Sequence, residues 1–150
     1  MKKSKRFKPI QEIASSAANQ LSHAMSDAAL KVAEFERQLK QLKSYRDEYA
    51  NRAQGGAIDA VKMQNYRSFL ERLGEAMRQN TKNLEAARAE YEKRRAAWSE
   101  KRVEAEGWSR VVDRCRTEER QAADQREQRE GDEAALQAHQ LARDLLFPGS

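Results

Sequence analysis

The sequence is poor in almost everything from which a compact enzyme is built. It has one cysteine, Cys115, so no disulfide can close within the chain and no oxidising compartment is implied. Its two histidines, His23 and His139, stand far apart, and no Cys-x-x-Cys or His-x-x-x-His spacing suits a structural zinc. Gly55-Gly56 is not followed by the Lys-Ser/Thr of a phosphate loop. Carboxylates abound, but two helices side by side provide no deep, dry pocket to shift their acidity. No run approaches the ~20 apolar residues of a membrane span. The basic segment 1–9 has the charge that opens a signal peptide, but Gln11, Glu12, Ser15, Ser16, Asn19 and Gln20 interrupt any apolar core behind it. The expectation is a cytoplasmic protein that is not an enzyme, with no cofactor, no metal and no direct insertion into a membrane.

Two prolines and six glycines leave long stretches free of helix breakers. Charged residues make up 35% of the chain and the hydrophobic class 39%, much of it alanine. Such a mixture builds long exposed helices rather than a layered core. The net charge of +5 and pI of about 9.4 are compatible with nucleic acid, acidic lipid or an acidic protein. Acidic and basic residues are interleaved, however, which describes a solvated face. No groove-reading motif or aromatic interleaving supports nucleic-acid binding.

The chain is organised around Ala53-Gln54-Gly55-Gly56-Ala57, the one place where it can reverse cheaply. Upstream, a 4-3 spacing runs through Ala14, Ala18, Leu21, Met25, Ala28, Val32, Phe35, Leu39, Leu42, Arg46 and Tyr49. Downstream it resumes through Tyr66, Leu70, Leu73, Met77, Asn80, Leu84, Ala87, Tyr91, Arg94, Trp98, Lys101, Ala105, Trp108, Val112 and Cys115. Sustained heptads mean a seam buried against another helix. The expected fold is all-α: a long antiparallel two-helix coiled-coil hairpin with the second helix longer than the first. Its divisions are a basic N-terminal arm at 1–9, the hairpin at 10–116 with its turn at 53–57, and a polar helical or disordered extension at 117–150. Pro9 suits a first helical turn. Polar seam residues Asn80, Arg94 and Lys101 either fix register or snorkel out of a thin interface. A turn centred on Gly55 makes facing residue numbers sum to roughly 110, leaving the second helix unpartnered beyond about residue 105. Trp108, Val112 and Cys115 would lie on that overhang. Gly131 weakens helix continuity, and apolar residues return between Ala135 and Phe147.

Two surface features stand apart from the seam. Tyr45 and Phe69 each sit one place out of register, near the turn, as either a widened core or an exposed anchor. The N-terminal cations lie near Lys93-Arg94-Arg95 and Lys101-Arg102, making one end basic, as a solvated face or a site for an acidic partner.

The segment Gln38-Leu39-Lys40-Gln41-Leu42-Lys43-Ser44-Tyr45-Arg46-Asp47-Glu48-Tyr49 resembles the Q-L-x-x-L-x-x-Y-x-x-E-Y stretch of the flagellar FliJ proteins. Gln64-Asn65-Tyr66-Arg67-Ser68-Phe69-Leu70-Glu71-Arg72-Leu73 is similar to their N-Y-x-x-F-L-x-x-L stretch, Ala97-Trp98 to their A-W pair, and residues 126–133 to their R-E-Q-K-x-x-D-E ending. The ending departs from the pattern at Gly131, and residues 134–147 are unusually apolar. The resemblance implies a coiled-coil component of flagellar type III protein export, and so of flagellum biogenesis, motility and chemotaxis. It implies a stalk-like protein that binds the export ATPase ring and its regulator and promotes the ring's assembly and activity. It also implies contact with the cytoplasmic domain of the export gate, escort of substrate chaperones, and a place at the cytoplasmic face of the inner membrane at the flagellar base. By motif, Gln38, Leu42, Tyr45, Tyr49, Phe69, Leu73 and Ala76 are implied as the gate patch, and Trp98, Trp108 and Val112 suit the ATPase ring. The alternatives are a self-associating coiled-coil scaffold and a basic nucleic-acid binder, the latter marked by steep salt dependence.

Overall fold

A computed structural model describes residues 2–54, apart from the Gln54 side chain, and 59–149. Two helices account for nearly all of them: α1, Lys3–Gln54, and α2, Ala60–Leu146. With no strand among the described residues, the fold is all-α, and the second helix, at 87 residues, is longer than the first, at 52. Of the expected turn at 53–57, residues 53 and 54 are helical and 55–57 lie outside the described residues. The Asp59 carboxylate caps α2 by accepting the Lys62 N–H at 2.8 Å, satisfying a donor that the helix itself leaves without a partner. At the other end the Phe147 N–H donates to the Arg143 carbonyl at 2.9 Å before Gly149 turns out with a φ of 91°.

The chain divides into two compact units, residues 16–102 and residues 1–15 with 103–150. The first is an antiparallel helical hairpin. Its interior is the heptad seam: Ala18, Ala28, Leu73, Leu84 and Asn80 are buried, and the other seam positions are half-buried, with Arg46 alone exposed. The expected register needs correction. A turn centred on Gly55 would set Tyr49 against residue 61 and Ala24 against residue 86. Instead Tyr49 stacks on Tyr66, with ring centroids 5.2 Å apart, and the Ala24 carbonyl accepts Arg94 Nη1 at 2.9 Å. The slide is about one heptad, which returns the same residues to the interface. Periodicity therefore determined which residues face inward and left the axial position open. Part of the slide follows from the ends of the helices themselves, since α1 continues to Gln54 and α2 starts only at Ala60.

Small residues on α1 give the polar seam residues room. Arg94 crosses to α1 beside Ala24 while its Nε donates to Glu90 at 2.9 Å. Asn80 is 6% exposed and its Oδ1 has no hydrogen-bond partner within the protein. A polar atom in this state opposes folding while penalising registers that would bury it against pure hydrocarbon.

The second unit overturns the expected overhang. Residues 103–119 of α2 do have a partner in their own chain: the first four turns of α1. The basic segment 1–9 is helical from Lys3, so Pro9, expected in a first turn, stands inside the helix. The proline removes the one N–H that would have bonded the Lys5 carbonyl, a local loss that tertiary packing outweighs. The 4-3 spacing simply continues upstream of Ala14 through Gln11, Phe7 and Ser4. Phe7 lies on Trp108 with centroids 5.9 Å apart, Val112 is 1% exposed, and Ala14, Ala105 and Cys115 are buried with it. From residue 120 onward the described part of α2 is exposed throughout and remains helical across Gly131.

Replacing Asn80 with Leu should raise the stability of the hairpin by roughly 1 kcal/mol or more, since an unpartnered buried amide gives way to hydrocarbon. Urea melts followed by circular dichroism measure this. Sedimentation velocity on the same variant should reveal self-association as register control is lost.

Candidate functional site

The residues implied for a partner patch come together in the 16–102 unit. On α1, Gln38, Leu42, Tyr45 and Tyr49 follow the spacing i, i+4, i+7, i+11. On α2, Phe69, Leu73 and Ala76 follow i, i+4, i+7. Both patterns trace one stripe of a helix. The Tyr49 and Phe69 rings join the stripes, with centroids 4.2 Å apart and planes tilted by 33°. Continued along the antiparallel pair, that register sets Leu73 level with Tyr45 and Ala76 level with Leu42. The patch grades from the interior outward. Leu73 is 7% exposed, Gln38, Leu42, Tyr49 and Phe69 are half-buried, and Tyr45 and Ala76 face solvent, Tyr45 at 49% exposure. Tyr45 accepts only a long hydrogen bond, 3.3 Å, from Gln41 Nε2. Phe69 therefore packs on Tyr49 rather than Tyr45, so the two out-of-register aromatics differ: Phe69 is part of the packing and Tyr45 is exposed.

Sequence reasoning placed Tyr66 in the seam without seeing that it extends this aromatic pile. Tyr49 stacks against it at 7° between planes, and the two rings form one wall of a surface concavity of about 280 Å³ that Arg52 and Lys62 also line. The signal was available in the Tyr-to-Tyr seam match, but only the true register pairs them. A larger groove, about 580 Å³, has Leu70, Leu73 and Met77 as its floor and Arg46 and Arg78 at its rim, and it passes over Gly74. Arg46, the one exposed seam position, is thus a rim residue and not a buried charge.

Of the second set of implied residues, Trp98 belongs to the 16–102 unit, half-buried beneath the Arg102 guanidinium at 5.3 Å from its ring. Trp108 and Val112 belong to the other unit. Trp108 is half-buried under Phe7, and Val112 is interior, holding the two helical segments together. This unit is closed by a contact that no spacing foretold. Glu119 of α2 accepts the Ser4 N–H at 3.0 Å on one oxygen and the Ser4 hydroxyl at 2.6 Å on the other. The first turn of α1 has no acidic residue of its own and carries three cations, so the carboxylate that a helix N-terminus favours comes from the partner helix. The Ser4 hydroxyl and N–H, aided by nearby Lys2 and Arg116, hold the Glu119 carboxyl below its ordinary value.

Among the described residues no group of three or more His, Cys, Asp and Glu could hold a metal ion. Glu34, bonded by Arg37 and Gln38, and Glu119 are both pulled down in pKa, opposite to what a general acid at neutral pH requires. Among the described residues no helix is long and apolar enough to cross a membrane.

Residues 2–144 of the chain match the family model described as Flagellar FliJ protein. Comparison with curated proteins gives no match.

The Ser4–Glu119 contact sets a pH dependence with a definite sign. A carboxyl whose folded pKa lies below its ordinary 4.5 stabilises the fold fully above that value and loses the contribution as pH falls through the lowered one. In a Trp98→Phe background, Trp108 emission should shift to the red as acid releases Phe7, and Glu119→Gln should flatten that transition.

Proposed function

The chain belongs to the flagellar FliJ protein family, and from that premise we propose that it serves flagellar protein export by binding partners and not by catalysing a reaction. In this reading the Tyr45–Phe69 flank meets the cytoplasmic domain of the export gate. The unit that carries Trp108 meets the export ATPase ring and its regulator, promoting the ring's assembly and turnover, while substrate chaperones are escorted between the two. The protein would work at the cytoplasmic face of the inner membrane, at the flagellar base. Val112, being interior, would contribute to the ring contact only by keeping Trp108 and Phe7 in place.

The observation that carries the gate reading is the exposure of Tyr45 beside the Tyr49–Phe69–Tyr66 pile. A rigid aromatic at the rim of a half-buried apolar patch is what a protein interface uses as an anchor. Its hydroxyl has one weak partner in the chain and so is available to another protein. A scaffold reading has one observation of its own: Leu141, Leu145 and Leu146 are 63–74% exposed on α2, which is a surface two copies could share. Sedimentation equilibrium on the free chain distinguishes the two, since a monomer at micromolar concentration leaves the scaffold reading without support.

The gate reading is tested by titration calorimetry against the gate's cytoplasmic domain. Tyr45→Ala should weaken binding by about tenfold or more while leaving the melting temperature unchanged, as an exposed anchor would. Phe69→Ala should lower both, because it also removes the contact with Tyr49. Unaltered binding by Tyr45→Ala would overturn the assignment.

A further inference from the structure

We propose that the outer face of the first α1 turns, residues 2–13, adsorbs on an anionic lipid surface. The inner stripe of this segment, Ser4, Phe7, Gln11 and Ala14, is occupied by α2. Helical spacing puts Lys2, Arg6, Pro9 and Ile13 on the opposite stripe, with Lys5 and Ile10 beside it. That outer stripe combines two properties that rarely adjoin by chance. Three cations, Lys2, Lys5 and Arg6, lie on it or beside it, with a single carboxylate, Glu12, at its edge. Among them two large aliphatic side chains stand in solvent, Ile10 at 41% and Ile13 at 71% exposure.

Charge alone would suit any polyanion. Exposed isoleucines between cations favour a surface that is anionic at its headgroups and apolar a few ångströms below, where Ile10 and Ile13 can enter and the lysine stems can snorkel. A surface concavity of about 380 Å³ between Lys2, Lys5, Lys8 and Arg116 offers a seat for a headgroup phosphate. The Glu119 carboxylate in the same wall has both oxygens engaged by Ser4, so its charge is already tied to the helix N-terminus. The outer face reaches a membrane without loss of the α1–α2 packing, because Lys2, Arg6, Ile10 and Ile13 are all exposed. Adsorption is also distinct from crossing, for which no described helix is suited.

The test is co-sedimentation of the intact chain with phosphatidylcholine vesicles, with and without phosphatidylglycerol. Binding is expected only with phosphatidylglycerol, falling as salt is raised. Lys5→Glu with Arg6→Glu should abolish it, whereas the equal charge change Lys40→Glu with Lys43→Glu, in the other unit, should leave most of it. Ile10→Gln with Ile13→Gln, which keeps helix propensity and every charge, should weaken it on the order of tenfold. Circular dichroism confirms that each variant is folded. Equal binding to both vesicle types overturns the proposal. So does undiminished binding by the isoleucine variant, which would leave a purely electrostatic patch better matched to an acidic protein.

Discussion

Neither helix of this protein can exist in water on its own terms. Each carries an apolar stripe about two residues wide in every seven, and each is otherwise charged. The stripe can be covered only by another stripe of the same period, so the mutual burial of two heptad seams is the interaction on which the structure depends. Among the described residues the buried hydrophobic ones are few and small, with four alanines among them. Burial per residue is thin, and stability has to come from length. This is why the pairing claims every seam residue within reach, including Ser4, Phe7 and Gln11 upstream of an interior proline.

A thin seam also decides what the surface presents. With so little interior, side chains that serve packing sit within one position of side chains that face solvent. Leu73, Phe69 and Tyr45 run from buried to exposed across a single flank, so this surface is braced by the same contacts that hold the helices together. Gly74 opens the groove between Leu70 and Met77 by withholding a side chain, and a Cβ there would meet only the Arg78 guanidinium at 3.5 Å. The surface charges contribute less to this framework. The Arg88–Glu36 pair joins the two helices at 3.2 Å, but both side chains are more than half exposed, and water screens such a pair to a small net effect.

The seam was legible in the sequence almost residue by residue, because period and burial are the same fact seen twice. Its axial register was not, since a slide of one heptad preserves the pattern and nothing in residues 53–57 fixes the length of the turn. The partner of Trp108, Val112 and Cys115 was missed for a related reason. Pro9 and five cations looked like the boundary of the helix, and the 4-3 spacing was followed no further back than Ala14. Continuing it would have placed Phe7 and Ser4 on the seam. The Ser4–Glu119 bond could not have been anticipated, because it joins residues 115 apart and depends on which turn of α2 meets the start of α1. On the Tyr45–Phe69 flank the residue types were readable by motif, whereas the division between exposed Tyr45 and packed Phe69 required the actual register.

The proposed role for this FliJ-family chain is that of a binding partner of the export ATPase. The measurement that reaches it most directly is the turnover rate of the flagellar export ATPase, titrated with the intact chain at several salt concentrations. The account predicts a saturable rise in rate at a fixed ratio of chain to assembled ring. A rate that stays flat while the chain associates with itself would contradict it, and would leave a coiled-coil scaffold in its place.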